Sequence, residues 1–163
     1  MATSTLVQYL ETSAVSGLGV TTALGPSTMD RSQTETFLSG AAITKGDWVA
    51  FDTTQSGANR VLYVKQAATV ATAGNALVVG VALNTTTAIG EKVQVCVSGY
   101  CPYANVDAAV VAGSPLCGPI TTAGRADVNV AAALSGLVGV ALDADGVAPL
   151  AANYAPVFVA KRF

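Results

Sequence analysis

Residues 78–97 read VVGVALNTTTAIGEKVQVCV. An apolar run with one glycine, a Thr-rich polar stretch and an alternating Val93, Val95, Val97 segment describe a strand, a turn and a strand. The first half returns at residues 137–148, LVGVALDADGVA. There Val138-Gly139-Val140-Ala141-Leu142 repeats Val79-Gly80-Val81-Ala82-Leu83 in order, and Asp143 follows where Asn84 followed. Self-similarity of this kind predicts one structural unit used twice.

The flanks extend the match. Residues 42–52, AITKGDWVAFD, and 109–119, AVVAGSPLCGP, both give an apolar pair, a Gly turn and a strand. The paired turns, Gly46 and Gly113, lie 67 residues apart, and the paired strands, Gly80 and Gly139, lie 59 apart. The first copy therefore carries about eight extra residues, most naturally the polar hairpin loop at 53–59, TTQSGAN. Ser114-Pro115 stands where Asp47-Trp48 stood, which leaves the second copy's strand start open.

Strands are expected from Phe37 and over 48–52, 60–65, 77–83 and 91–97, with 98–103 ending the first half. The second half offers strands within 109–119 and at 126–130, 137–142 and 156–162. About ten short strands with Gly, Asn and Asp turns predict an all-β fold, a small tight barrel or sandwich. The glycine inside each GVAL strand marks a bulge or a close backbone approach. The organisation expected is an extended N-terminal arm at 1–36 and a β-rich domain at 37–163, with repeat units of about 37–103 and 104–163.

Composition narrows the function. Of 163 residues, 52% are hydrophobic and only 11% charged. An average soluble domain has about 25% charged residues. Such a surface suits a protein buried against partners, or a Thr-rich exposed sheet. The net charge of −2, without a basic patch, gives nucleic acid no electrostatic footprint. No apolar run is long enough for a membrane span, and the N-terminus lacks a signal-peptide pattern. Three cysteines, Cys96, Cys101 and Cys117, read as reduced thiols of a protein made inside the cell.

Catalytic chemistry finds little to use. The chain has no His, which removes Ser-His-Asp and Cys-His pairs and most transition-metal sites. DADG at 143–146 lacks the rest of a calcium loop, and Gly17-Leu18-Gly19 is no dinucleotide loop. Neither an enzyme, a metal nor a cofactor is expected. Trp48, Phe51 and Tyr63 are expected in the core. Tyr100, Tyr103 and Tyr154, near Gly or Pro at strand ends, are candidates for a protomer interface or for packed corners.

The arm is rich in Thr, Ser and Gly, with apolar Leu6, Val7, Tyr9, Leu10, Val20 and Leu24. It is expected either to be held by a partner chain or to fold back on its own domain.

With ITKGDWVAFD, VVAGSPLCGP and the two VGVAL strands in view, residues 37–162 resemble phage capsid decoration, or cement, proteins. These are compared in architecture with the lambda head decoration protein. The resemblance implies a homotrimer on the outer surface of an expanded icosahedral capsid, made in the host cytoplasm. It implies that the protomers brace the major capsid protein, with the arm adding to it by strand pairing. Another virion part, such as a head fibre base or tail component, is the alternative. So is a glycan-binding β module using Trp48, Tyr100 or Tyr103 as a stacking platform.

Overall fold

The structure is a computed structural model, and it describes residues 32–70, 74–129, 136–147 and 150–160. The fold is all-β. Nine strands are present among the described residues: β1 Ser32–Ser39, β2 Trp48–Phe51, β3 Tyr63–Gln66, β4 Val78–Ala82, β5 Lys92–Asn105, β6 Pro115–Cys117, β7 Asp127–Val128, β8 Leu137–Ala141 and β9 Tyr154–Val159. β1, β3, β2, β4 and β5 pair in that order, and β1 returns to β5, closing a five-stranded barrel. From β5 the sheet continues through β9, β8, β6 and β7. A single parallel bridge, Val106 to Ala126, brings β7 back to the end of β5. The second lobe therefore copies the first, and β5 is a stave of both.

The duplication holds at the level of individual hydrogen bonds. Gly46 N–H donates to the Ala82 carbonyl at 2.8 Å, and Gly113 N–H to the Ala141 carbonyl at 2.8 Å. Asp47 Oδ2 accepts from Thr44 N–H at 3.1 Å, and Ser114 Oγ accepts from Val111 N–H at 3.2 Å. Ser114 thus does the work of Asp47 and fixes the strand start that the sequence left open. Both copies bulge at the same place. Val49 and Ala50 face Gly80 and Val78, while Leu116 and Cys117 face Gly139 and Leu137, leaving Val79 and Val138 as the extra residues. The same glycines are close approaches. A Cβ on Gly80 would collide with the Cys96 carbonyl, and one on Gly139 would lie 2.5 Å from the Phe158 carbonyl.

Several expectations are corrected by this register. The length difference is split between two loops. Leu116 is Val49 plus 67, Val128 is Gln66 plus 62 and Gly139 is Gly80 plus 59. Five extra residues therefore lie between β2 and β3 and three between β3 and β4. The strand expected at 60–65 starts later, because Gly57–Val61 forms a 3-10 turn. β5 does not end at 97 but runs on to Asn105: Gly99, at a φ of 89°, pairs with both Ser32 and Val159, and a register shift absorbs Pro102. Phe37 pairs with Val93 and Ala104 with Ala155. By the same offsets of 67 and 62, β1 is the counterpart of the second half of β5. The seam between units falls at Ser98–Gly99, and residues 32–36, read as arm, belong to β1.

Two cores result. Phe37, Ile43, Val49, Val64, Val93 and Val95 fill the first barrel. Leu116, Val138, Val157 and Val159 fill the second lobe, together with Trp48, Val81 and Cys96 from the outside of the first. This explains why Cys96, assigned by alternation to the opposite face from Val95, is nonetheless buried. That outer face is covered by the second lobe. Trp48 is fully buried at the junction, as expected, whereas Phe51 and Tyr63 are only partly buried. Trp48 N–H donates to the Gly124 carbonyl at 2.9 Å, and its indole Nε1–H donates to the Asn105 carbonyl at 3.0 Å.

Candidate interaction surface

The strands that close the second lobe carry an apolar outer face. Along β9, Ala155, Val157 and Val159 point inward, so Tyr154, Pro156 and Phe158 point outward. Tyr100 of β5 lies opposite Phe158, and Val140 of β8 lies on its other side. Pro115 of β6 faces Val140 and extends the row. A bulge places both Pro102 and Tyr103 between the rungs Cys101–Val157 and Ala104–Ala155. Pro156 loses nothing by lacking an N–H at such a bulge, and its carbonyl still accepts from Leu142 N–H at 2.8 Å. None of these side chains is charged. Phe158 is 47% exposed and Leu142 46%, large values for apolar residues in or beside paired strands.

The three tyrosines singled out from the sequence thus come together on one face. Tyr103 and Tyr154 stack, with ring centroids 4.1 Å apart and planes 18° apart. Their rings pack over Gly46, whose φ of 94° and lack of a side chain make the fit possible. The Lys45 ammonium sits 5.5 Å from the Tyr103 ring centre. Burial, and then the neighbouring Tyr103 hydroxyl, push the Tyr154 phenol upward. Tyr100 pairs with Phe158 at the other end of the face. Trp48 is not part of the surface: its full burial removes it from any stacking platform. Phe158, Pro156 and Val140 were missed by sequence reasoning, although the alternation along 156–162 already put Phe158 opposite Val157 and Val159. The arm residues Leu6, Val7, Tyr9, Leu10, Val20 and Leu24 lie outside the described residues.

The buried carboxylates serve loops and the lobe junction. Asp47 accepts from Gln66 at 2.9 Å and Asn105 at 3.3 Å, joining β3 of one lobe to β5. Burial pushes its pKa up against those hydrogen bonds. Asp127 Oδ2 takes Ile120 N–H at 2.6 Å, and its Oδ1 takes the Thr121 hydroxyl at 2.6 Å. Asp52 accepts from Thr54 and Gln55 and pairs with Lys65 at 2.9 Å. Among the described residues, no three His, Cys, Asp or Glu side chains are grouped to hold a metal.

Asp52 gives a pH prediction. Burial pushes its carboxyl up, but the bonds from Gln55, Lys65 and Thr54 outweigh that and hold it well below the ordinary carboxylate range. A depressed pKa stabilises the fold above the unfolded value, about 4, and the contribution fades as pH falls below it. Asp52→Asn should therefore cost about 2 kcal/mol near neutral pH. Thermal melts should show the gap to the parent narrowing from about pH 4 downward. A gap that widens in acid would contradict this reading.

The fold has a counterpart among solved structures. The chain superposes on the head fiber gp8.5 N base in bacteriophage phi29 with a TM-score of 0.50 and 11% sequence identity, covering 79% of this chain and 94% of that one. No protein-family model matches the chain, and no curated protein sequence does. At that identity the likeness is one of fold.

Proposed function

We propose that this chain is a structural protein of a bacteriophage virion, seated on the outer surface of the head. The observation that carries the reading is the two-lobed β fold, shared over most of both chains with a phage head fibre base. The apolar row of Tyr100, Phe158, Val140 and Pro115 on the outer face of the second lobe supports it, since proteins that live in assemblies keep charge away from the centre of contact surfaces. In this reading the protein decorates the expanded shell as a homotrimer made in the host cytoplasm. Residues 1–31 attach it to the major capsid protein by strand pairing, which needs only main-chain hydrogen bonds and alternate apolar side chains. Leu6, Val7, Tyr9, Leu10, Val20 and Leu24 are the side chains on offer. Three such arms on one trimer reinforce each other through effective concentration. A second reading, the base of a head fibre, is favoured by the name of the structural neighbour. Cryo-electron microscopy of virions separates the two: a fibre base carries further density distal to it, and a cement protein does not.

The direct experiment is binding to undecorated, expanded shells. Full-length protein should pellet with them, and deletion of residues 1–31 should weaken binding at least about a hundredfold if three arms act together. Circular dichroism of the shortened protein checks that β1, Ser32–Ser39, and the rest of the sheet are retained. Shell binding that survives the deletion would sink the role of the arm, and a full-length protein that ignores shells would sink the decoration role.

A further inference from the structure

We propose that the row Tyr100, Phe158, Val140 and Pro115 is covered by a second copy of this chain, which presents the same row in return. The first ground is what the internal duplication does with the equivalent row. Trp48 pairs with Val81 and Val81 with Cys96, just as Pro115 pairs with Val140 and Val140 with Phe158. Trp48, Val81 and Cys96 are at most 1% exposed, because the second lobe packs Leu116, Val138 and Val157 into one core with them. The second lobe carries the same row, yet among the described residues Phe158 stays 47% exposed.

The second ground is residue choice. Where the first lobe leaves its outward positions in water, it fills them with polar side chains: Thr34, Lys92 and Gln94 are all exposed. The same pairings make Tyr100, Tyr154 and Pro156 their counterparts. Tyr154 is accounted for by its stack on Tyr103. Tyr100, Pro156 and Phe158 follow the rule of a covered face, with aromatic side chains where interfaces concentrate them.

The third ground decides the occupant. What covers the first row is a β lobe of this chain, and a second copy brings the same chemistry. A folded copy has both barrel interiors filled, so it must offer an outer surface, and the apolar row is one. None of the four side chains carries a charge, so the row meets its own image without like-charge repulsion. Four side chains are few beside the roughly 20–30 residues per partner of a standard interface, so the association is weak and depends on concentration. The inference deepens the proposed function and rests only on its oligomer, naming the surface where the copies meet.

The test uses the full chain in solution, without shells, so it can fail while shell binding succeeds, and the reverse. Sedimentation equilibrium from about 1 μM to about 1 mM should show reversible self-association. Phe158→Asp, at an exposed position that spares the core, should weaken it at least about tenfold. Ile89→Asp, in the loop after β4 and 71% exposed, should leave it unchanged. Thermal melts should show both variants folded. As a second measurement, a benzophenone-bearing phenylalanine replaces Phe158 in an equimolar mixture of unlabelled and isotope-labelled protein. Irradiation should give mixed light–heavy links to the peptides that contain Tyr100, Pro115 and Val140, alongside links within one form. A chain that stays monomeric across the range would overturn the proposal, and so would association indifferent to Phe158→Asp. Links confined to one isotopic form, or mixed links only to other peptides, would overturn it too.

Discussion

Replacing Gly80 by alanine lowers the melting temperature by on the order of 10 °C, a loss of about 3 kcal/mol for a domain of this size. The cause is steric. The added methyl would collide with the Cys96 carbonyl, a backbone atom that cannot swing aside as a side chain could. Gly80 also sits at the bulge between β2 and β4, which packs Val79 and Val81 into different cores. Relieving the clash means moving β4 away from β5, where both cores are felt. Gly139→Ala meets the Phe158 carbonyl at 2.5 Å, a less severe approach than the one at Gly80, so a smaller loss is expected. Calorimetry on the two variants measures the difference. Equal, negligible effects would show that neither strand needs its close approach.

Trp48→Ala is the second large effect, about 3–5 kcal/mol. The indole is the largest fully buried side chain and spans the junction of the lobes. Its loss leaves a cavity and removes the Nε1–H bond to Asn105. Trp48→Phe separates the two contributions. It keeps much of the volume, and the Asn105 carbonyl still receives Ala126 N–H at 3.0 Å. We expect about 1–2 kcal/mol for it. Because β5 is a stave of both barrels, the parent should melt in one transition followed equally by tryptophan fluorescence and circular dichroism. Two separate transitions would show that the lobes hold independently.

The residues that announced the fold are those whose job is local. A glycine that meets a carbonyl, a Gly turn closed by Asp47 or Ser114, and an alternation of valines leave marks in a few neighbouring positions. These marks were legible as a duplicated all-β unit. What lay hidden depends on distant contacts. Residues 98–103, SGYCPY, read as a strand end because Gly99 and Pro102 usually break strands. Here Gly99 pairs with both Ser32 and Val159, a register shift absorbs Pro102, and β9 supplies the partner that keeps the strand going. Trp48 and Tyr103 both lie near a glycine turn. Only the docking of the second lobe decides that the first is buried and the second lines a surface. The tyrosine face was legible in its three named members, but its continuity through Pro156, Phe158 and Val140 needed the order of strands.

Pro115 and Trp48 occupy matching positions, yet Trp48 spends its N–H on the next lobe and proline has none to give. The pattern is therefore a modular one, in which each barrel hands a stave to its successor and caps what it does not hand on. A third module, entering through β9 as the second enters through β5, would need an N–H at position 115. Pro115→Trp is the first edit for anyone lengthening this protein into a rod.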